Sequence, residues 1–128
     1  MKKIMFIVEK TNTGYSAYPE NENLAVYTTG RDIKELRANL KDALDTWTEH
    51  ERKPKIKAEN IITRINLEQF FEFYRILNFS ALGERIGMNS TLMSQYANGV
   101  KHPSDKQVSR ILTGVRELGR ELAAIDIV

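Results

Sequence analysis

Residues 82–104 read Leu82-Gly-Glu-Arg-Ile-Gly87-Met-Asn-Ser-Thr-Leu-Met-Ser-Gln-Tyr-Ala-Asn-Gly99-Val-Lys-His-Pro103-Ser104. The spacing predicts two short helices joined by a tight turn. Gly83 falls where the helices come closest and a side chain would hold them apart. Gly87 falls at the turn, where a positive φ is cheap for glycine alone. Asn89 is suited to cap the second helix, leaving residues 90–97 as its body. Met93 then points to the core, while Ser90, Thr91, Ser94 and Gln95 are short or polar and face outward. Asn98-Gly99 ends that helix, and Pro103-Ser104 starts another. This is the layout of a helix-turn-helix, in which the second helix lies in the DNA major groove and the first packs across it.

The same stretch resembles the Xre/Cro-like repressor family. Leu82, Gly83, Ile86, Gly87, Met93, Asn98, Gly99, Lys101, Pro103 and Ser104 all fall on the family pattern. Ser90 stands where the family often has glutamine, and Ala97 where it often has glutamate. The resemblance implies operator DNA as a partner. It puts Asn89, Ser90, Thr91, Ser94 and Gln95 at the base edges, with Arg85 and Lys101 near phosphates.

Composition sets bounds. A chain of 128 residues can hold one domain or two small ones, and 41% apolar residues suffice for a buried core. The lack of cysteine excludes disulfides, thiolate metal sites and a cysteine nucleophile. No apolar run approaches membrane-spanning length, and the apolar part of the N-terminus is short for a secretory signal. A soluble cytoplasmic protein without a membrane partner is expected. Residues 58–128 carry eight Lys and Arg against eight Asp and Glu. DNA binding by so neutral a region must rest on a local patch, with Arg85, Lys101, His102 and Arg110 as candidates, doubled by dimerisation.

The N-terminal half follows another pattern. Residues 4–8 form an apolar run suited to a buried strand, Thr11-Asn-Thr-Gly14 is turn chemistry, and residues 15–18 make a second strand. A third strand is expected over residues 24–28, broken by Thr29-Gly30. Asp32 and Glu35 have the spacing of a reciprocal helix cap. Ile33, Leu36, Leu40, Ala43, Leu44 and Trp47 then trace one apolar stripe, which should cover the sheet. Arg52-Lys-Pro-Lys-Ile-Lys57 is expected to be a solvated connector, with a nucleic-acid contact as the alternative, and residues 60–65 a fourth strand. The fold class is therefore α+β: a small β-β-β-α-β sheet domain over residues 1–66, then an all-α bundle over 67–128.

The tract from Gly14 to Trp47 resembles the HicB antitoxin family. The matching residues are Gly14-Tyr15, Pro19-Glu20, Val26 to Gly30, Asp32, Glu35-Leu36, Asn39, Lys41 and Ala43-Leu44. The resemblance implies a truncated RNase H-like N-terminal domain that covers the working face of a small HicA-like RNA-cleaving toxin. It further implies a DNA-binding C-terminal domain that represses the chain's own operon. The alternative is a one-component repressor whose N-terminal domain senses a small ligand.

No catalytic, cofactor or metal site is expected. Asp42, Asp45 and Glu49 stack on one helix flank, Glu9 has no evident partner on the neighbouring strand, and neither His50 nor His102 lies near a carboxylate pair. There is no glycine-rich phosphate loop or nucleophile elbow. Leu67, Phe70, Phe71, Tyr74 and Leu77 recur at helical spacing and predict the first helix of the C-terminal bundle. Phe73 is off that stripe, and Ser80 is the expected cap of the next helix. In the last helix Val108, Ile111, Val115, Leu118, Leu122 and Ile125 form a heptad seam. Either this seam packs back on its own domain, or Val115, Leu118, Leu122 and Ile125 are the dimerisation residues of a homodimer or higher homo-oligomer. Gly114 and Gly119 in that helix permit close approach of a neighbour.

Overall fold

The computed structural model describes residues 3–127. The chain is a mixed α and β protein that divides after Phe73 into two compact units. The first holds a four-stranded sheet in the order β3-β2-β1-β4, made of β1 (Ile4–Thr11), β2 (Gly14–Pro19), β3 (Thr28–Gly30) and β4 (Ile61–Ile65). β1 and β2 form an antiparallel hairpin with Val8 opposite Ala17, β3 runs antiparallel to β2, and β4 runs parallel to β1.

Alternation along the hairpin sends Phe6, Val8 and Ala17 to one face. There they meet Leu36, Leu40 and Leu44 of α1 (Ile33–His50). The helical stripe is largely the expected one, with Ala43 and Trp47 packed against the same cluster. Ile33 is exposed and Trp47 only half-buried, whereas Thr48 is buried with its hydroxyl donated to the Asp45 carbonyl. The Asp32 carboxylate caps α1 by accepting from the Glu35 N–H at 2.7 Å. The return bond from Glu35 lands one residue early, on the Arg31 N–H and guanidinium.

The third strand differs from expectation. Leu24 and Val26 are buried, but they lie in a segment outside the sheet, and the ladder forms at Thr28–Gly30. Gly30 does not break the strand. A Cβ there would sit 2.4 Å from the Leu36 backbone nitrogen, so glycine is what lets β3 reach α1. On the other face of β1, Glu9 accepts from the Tyr18 hydroxyl at 3.2 Å and the Asn66 amide at 2.9 Å, neither of them a carboxylate. Burial and the Glu9 carboxylate push the Tyr18 phenol above its ordinary value.

The boundary between the units also moves. α2 (Leu67–Phe73) joins the sheet unit instead of opening the C-terminal bundle. The Gln69 amide clamps the Lys10 backbone, accepting from its N–H at 2.9 Å and donating to its carbonyl at 2.8 Å. The helix stops at Phe73, and the Leu77 N–H closes a turn onto the Tyr74 carbonyl. Phe73 itself stacks under the Lys10 ammonium.

The second unit comprises α3 (Phe79–Arg85), α4 (Ser90–Ala97) and α5 (Asp105–Ala123). Asn78, not Ser80, caps α3, through the Ala81 N–H. Leu82, Met88, Met93, Tyr96 and Ile111 are its buried apolar residues. No helix among the described residues is long and apolar enough to cross a membrane.

Candidate nucleic-acid interface

α3 and α4 are joined by a four-residue turn whose geometry follows from side-chain size. Gly87 has φ +74°, and the Met88 N–H reaches back to the Gly83 carbonyl at 2.7 Å, closing α3 in a Schellman turn. Gly83 lies where α4 crosses: a Cβ there would stand 2.6 Å from Met93 Cγ. Asn89 opens α4, with its Oδ1 accepting from the Thr91 and Leu92 N–H groups at 2.8 and 3.2 Å. Gly99 at φ +72° closes α4 the same way, the Val100 N–H bonding the Gln95 carbonyl. Ser104 then caps α5 through the Gln107 N–H.

With Met93 and Tyr96 buried, α4 turns its other side outward. Thr91 and Ser94 are exposed, and Ser90 and Gln95 are half-buried at the margins of that face. Asn98 extends it, its amide 3.4 Å from the Ser94 hydroxyl. Asn89 has spent its oxygen on the cap, which leaves its NH2 group as the end able to donate outward. The arrangement offers hydroxyl and amide donors and acceptors on one helical face, the chemistry that reads base edges in a groove.

The basic candidates separate. Lys101 is exposed just beyond the end of α4, and His102 beside it is exposed too. Arg85 is held by an ion pair with Glu121 of α5. Arg110 turns inward on α3: its guanidinium donates to the Ile86 and Gly87 carbonyls at 2.8 and 3.2 Å. It therefore caps the C-terminal end of α3, where a cation suits the helix dipole.

Two features of this surface were missed in sequence. From Arg85 to Ser104 the chain contains no Asp or Glu. The α4 region is thus free of carboxylates, a signal that a net-charge count averages away. Moving the unit boundary to Phe73 also changes the balance: residues 74–128 hold seven Lys and Arg against five Asp and Glu. The second unit is therefore weakly basic, not neutral.

The expected seam on α5 is only partly used within the chain. Ile111 is buried, Val115 and Leu118 are half-buried, and Leu122 is 54% exposed. Ile125 lies beyond the end of the helix, so it is not part of a helical seam. Gly114 and Gly119 also part company. A Cβ at Gly114 would meet Ile86 Cγ2 at 2.5 Å, whereas nothing lies within 4 Å of one at Gly119.

Among the described residues no group of three or more His, Asp or Glu side chains is placed to hold a metal ion. Asp45 pairs with Lys41 along the α1 flank. Comparison of the chain with protein-family models, curated proteins and solved structures finds no match.

Proposed function

We propose that this chain is a HicB-like antitoxin that sequesters a small HicA-like RNA-cleaving toxin and represses its own operon by binding operator DNA. In this reading the sheet unit is a truncated RNase H-like domain that binds the toxin, and the second unit is an Xre/Cro-like helix-turn-helix. The observation that carries the reading is the polar outer face of α4, set on a tight glycine turn in a stretch, residues 85–104, without Asp or Glu. Ser90, Thr91, Ser94 and Gln95 face base edges, Asn89 offers its amide NH2, and Lys101 meets a phosphate. Arg85 joins it when Glu121 releases its guanidinium.

A homodimer suits this chemistry. Seven cations against five anions make a weak electrostatic footprint for one copy. Two copies related by a two-fold axis double the phosphate contacts and read a palindrome. The exposed Leu122 and the half-buried Val115 and Leu118 supply apolar surface on α5 for that contact.

The test is an affinity pull-down of the tagged chain from its host, followed by a mobility shift on its own promoter. A stoichiometric small basic protein, whose RNA cleavage stops when this chain is added, is the expected outcome. Recovery of the chain alone with a promoter shift would replace the antitoxin by a one-component repressor. A captured toxin without any promoter shift would remove the DNA-binding half of the reading.

A further inference from the structure

We propose that the loop after α1, residues 52–57, is a second phosphate-contacting surface for duplex DNA, carried by the sheet unit. The proposal rests on the DNA-binding reading above and extends it to a part of the chain expected to be a mere connector.

The first argument is a conformational cost that the turn itself does not require. α1 ends in the same hydrogen-bonded turn as α3 and α4. The Lys53 N–H bonds the Thr48 carbonyl at 2.8 Å and the Arg52 N–H bonds the Glu49 carbonyl at 3.2 Å. The residue that must go left-handed in that turn is glycine at 87 and at 99, but arginine at 52, with φ 55°. A left-handed backbone is costly for any residue with a Cβ, and glycine escapes the cost. Arg52 is the sole non-glycine residue with positive φ among the described residues. A strained residue held in place is a reason to look for a role for its side chain.

The second argument is rigidity. Pro54 fixes its own φ and holds Lys53 extended. Ile56 packs against the sheet core, and Lys57 is extended at φ −69°, ψ 144°. Neighbours in an extended chain point to opposite sides. Anchoring Ile56 inward therefore turns Lys55 and Lys57 outward, and both are exposed. Pro54 and the packed Ile56 restrict the backbone that carries the cations, which lowers the entropy lost on binding.

The third argument is charge. Arg31, Lys41 and Arg85 each pair with a carboxylate. Among the described residues none of the four cations at 52, 53, 55 and 57 does, and Lys53 instead lies over the Trp47 ring at 4.9 Å. No acid interrupts residues 52–58, although Glu51 and Glu59 flank them. A row of unpaired cations on a stiff loop suits repeating phosphates. Residues 52–57 include no aromatic side chain, and the neighbouring half-buried Trp47 ring is occupied by Lys53, which favours the duplex backbone over stacking on single-stranded RNA.

The experiment titrates the full chain and two variants against its own promoter duplex over a series of salt concentrations. One variant is Arg52→Gly, which suits the turn. The other combines it with Lys53→Gln, Lys55→Gln and Lys57→Gln. Each lost phosphate contact should flatten the plot of log K against log salt by about 0.9, so slopes shallower by about 1 and by about 3 to 4 are expected. Circular dichroism of each variant confirms folding, and Arg52→Gly alone keeps the test valid if the fourfold variant is unstable. Unchanged slopes in variants of a chain that does bind the promoter would overturn the loop's role and leave the DNA reading intact. A wild-type chain that binds no duplex would overturn both. A fourfold variant that binds DNA normally but loses a protein partner in pull-down would assign the loop to an acidic protein surface and overturn the proposal.

Discussion

Gly114 and Gly119 lie five residues apart on α5, and substitution by alanine should push them in opposite directions. In a free helix each change gains about 1 kcal/mol, because glycine has more backbone entropy to lose. At 119 nothing lies within 4 Å of the new methyl, so Gly119→Ala should keep that gain. At 114 the methyl would stand 2.5 Å from Ile86 Cγ2, at least about 1 Å inside ordinary carbon–carbon contact. Ile86 cannot swing away cheaply. Its branch at Cβ is stiff, and its backbone forms the turn that Gly87 completes. Overpacking of this kind costs about 1–3 kcal/mol. Subtracting the helix gain leaves Gly114→Ala between neutral and about 2 kcal/mol destabilised. The propensity term cancels in the difference between the two variants, which isolates the packing term of about 1–3 kcal/mol. Urea unfolding followed by far-UV circular dichroism reads this as midpoints moving apart at constant slope. Equal stabilisation of both variants would refute the close α3–α5 approach and, with it, the placement of the turn that presents α4.

Four further outcomes follow from single contacts. Asn89→Ala removes the cap from two N–H groups of α4 and should lower stability by about 1 kcal/mol in the same unfolding assay. Glu121→Gln releases Arg85 from its ion pair, so promoter affinity should rise and its salt slope steepen by about 0.9; no change would show that Arg85 does not meet a phosphate. Leu122→Glu puts a charge on the exposed part of the α5 seam, and sedimentation should then report a monomer in place of the proposed dimer. Tyr18 titrates above its ordinary value in the folded chain, mainly because it is buried and secondly because Glu9 is near. A raised pKa contributes stability that is present below the unfolded value of about 10 and lost as pH rises through the folded one. Tyr18→Phe should flatten that alkaline loss in unfolding midpoints measured across the range.

What the sequence alone determined was local chemistry. Asp32 and Asn89 cap the helices they were expected to cap, a helix starts at Ser104 as expected, and Gly87 and Gly99 take the left-handed backbone that ends α3 and α4. Each of these bonds spans a few residues, so the residue types at fixed spacing suffice to predict it. The starts of β1, β2, α1 and β4 are also legible, because apolar patterning and the Asp32 cap are local signals. Tertiary structure decided the rest. Periodicity runs on through Tyr74 and Leu77 and cannot reveal that α2 stops at Phe73, where the chain leaves one compact unit for another. Leu24 and Val26 alternate like a strand, yet the ladder forms where Gly30 lets backbone meet α1. Arg85 and Arg110 look alike in sequence. One faces Glu121 and the other the carbonyls of the α3 turn, because the packing of α5 brings groups 23 to 36 residues away within hydrogen-bond reach. Local bonds are written in spacing; which distant partner occupies a side chain depends on how the helices pack.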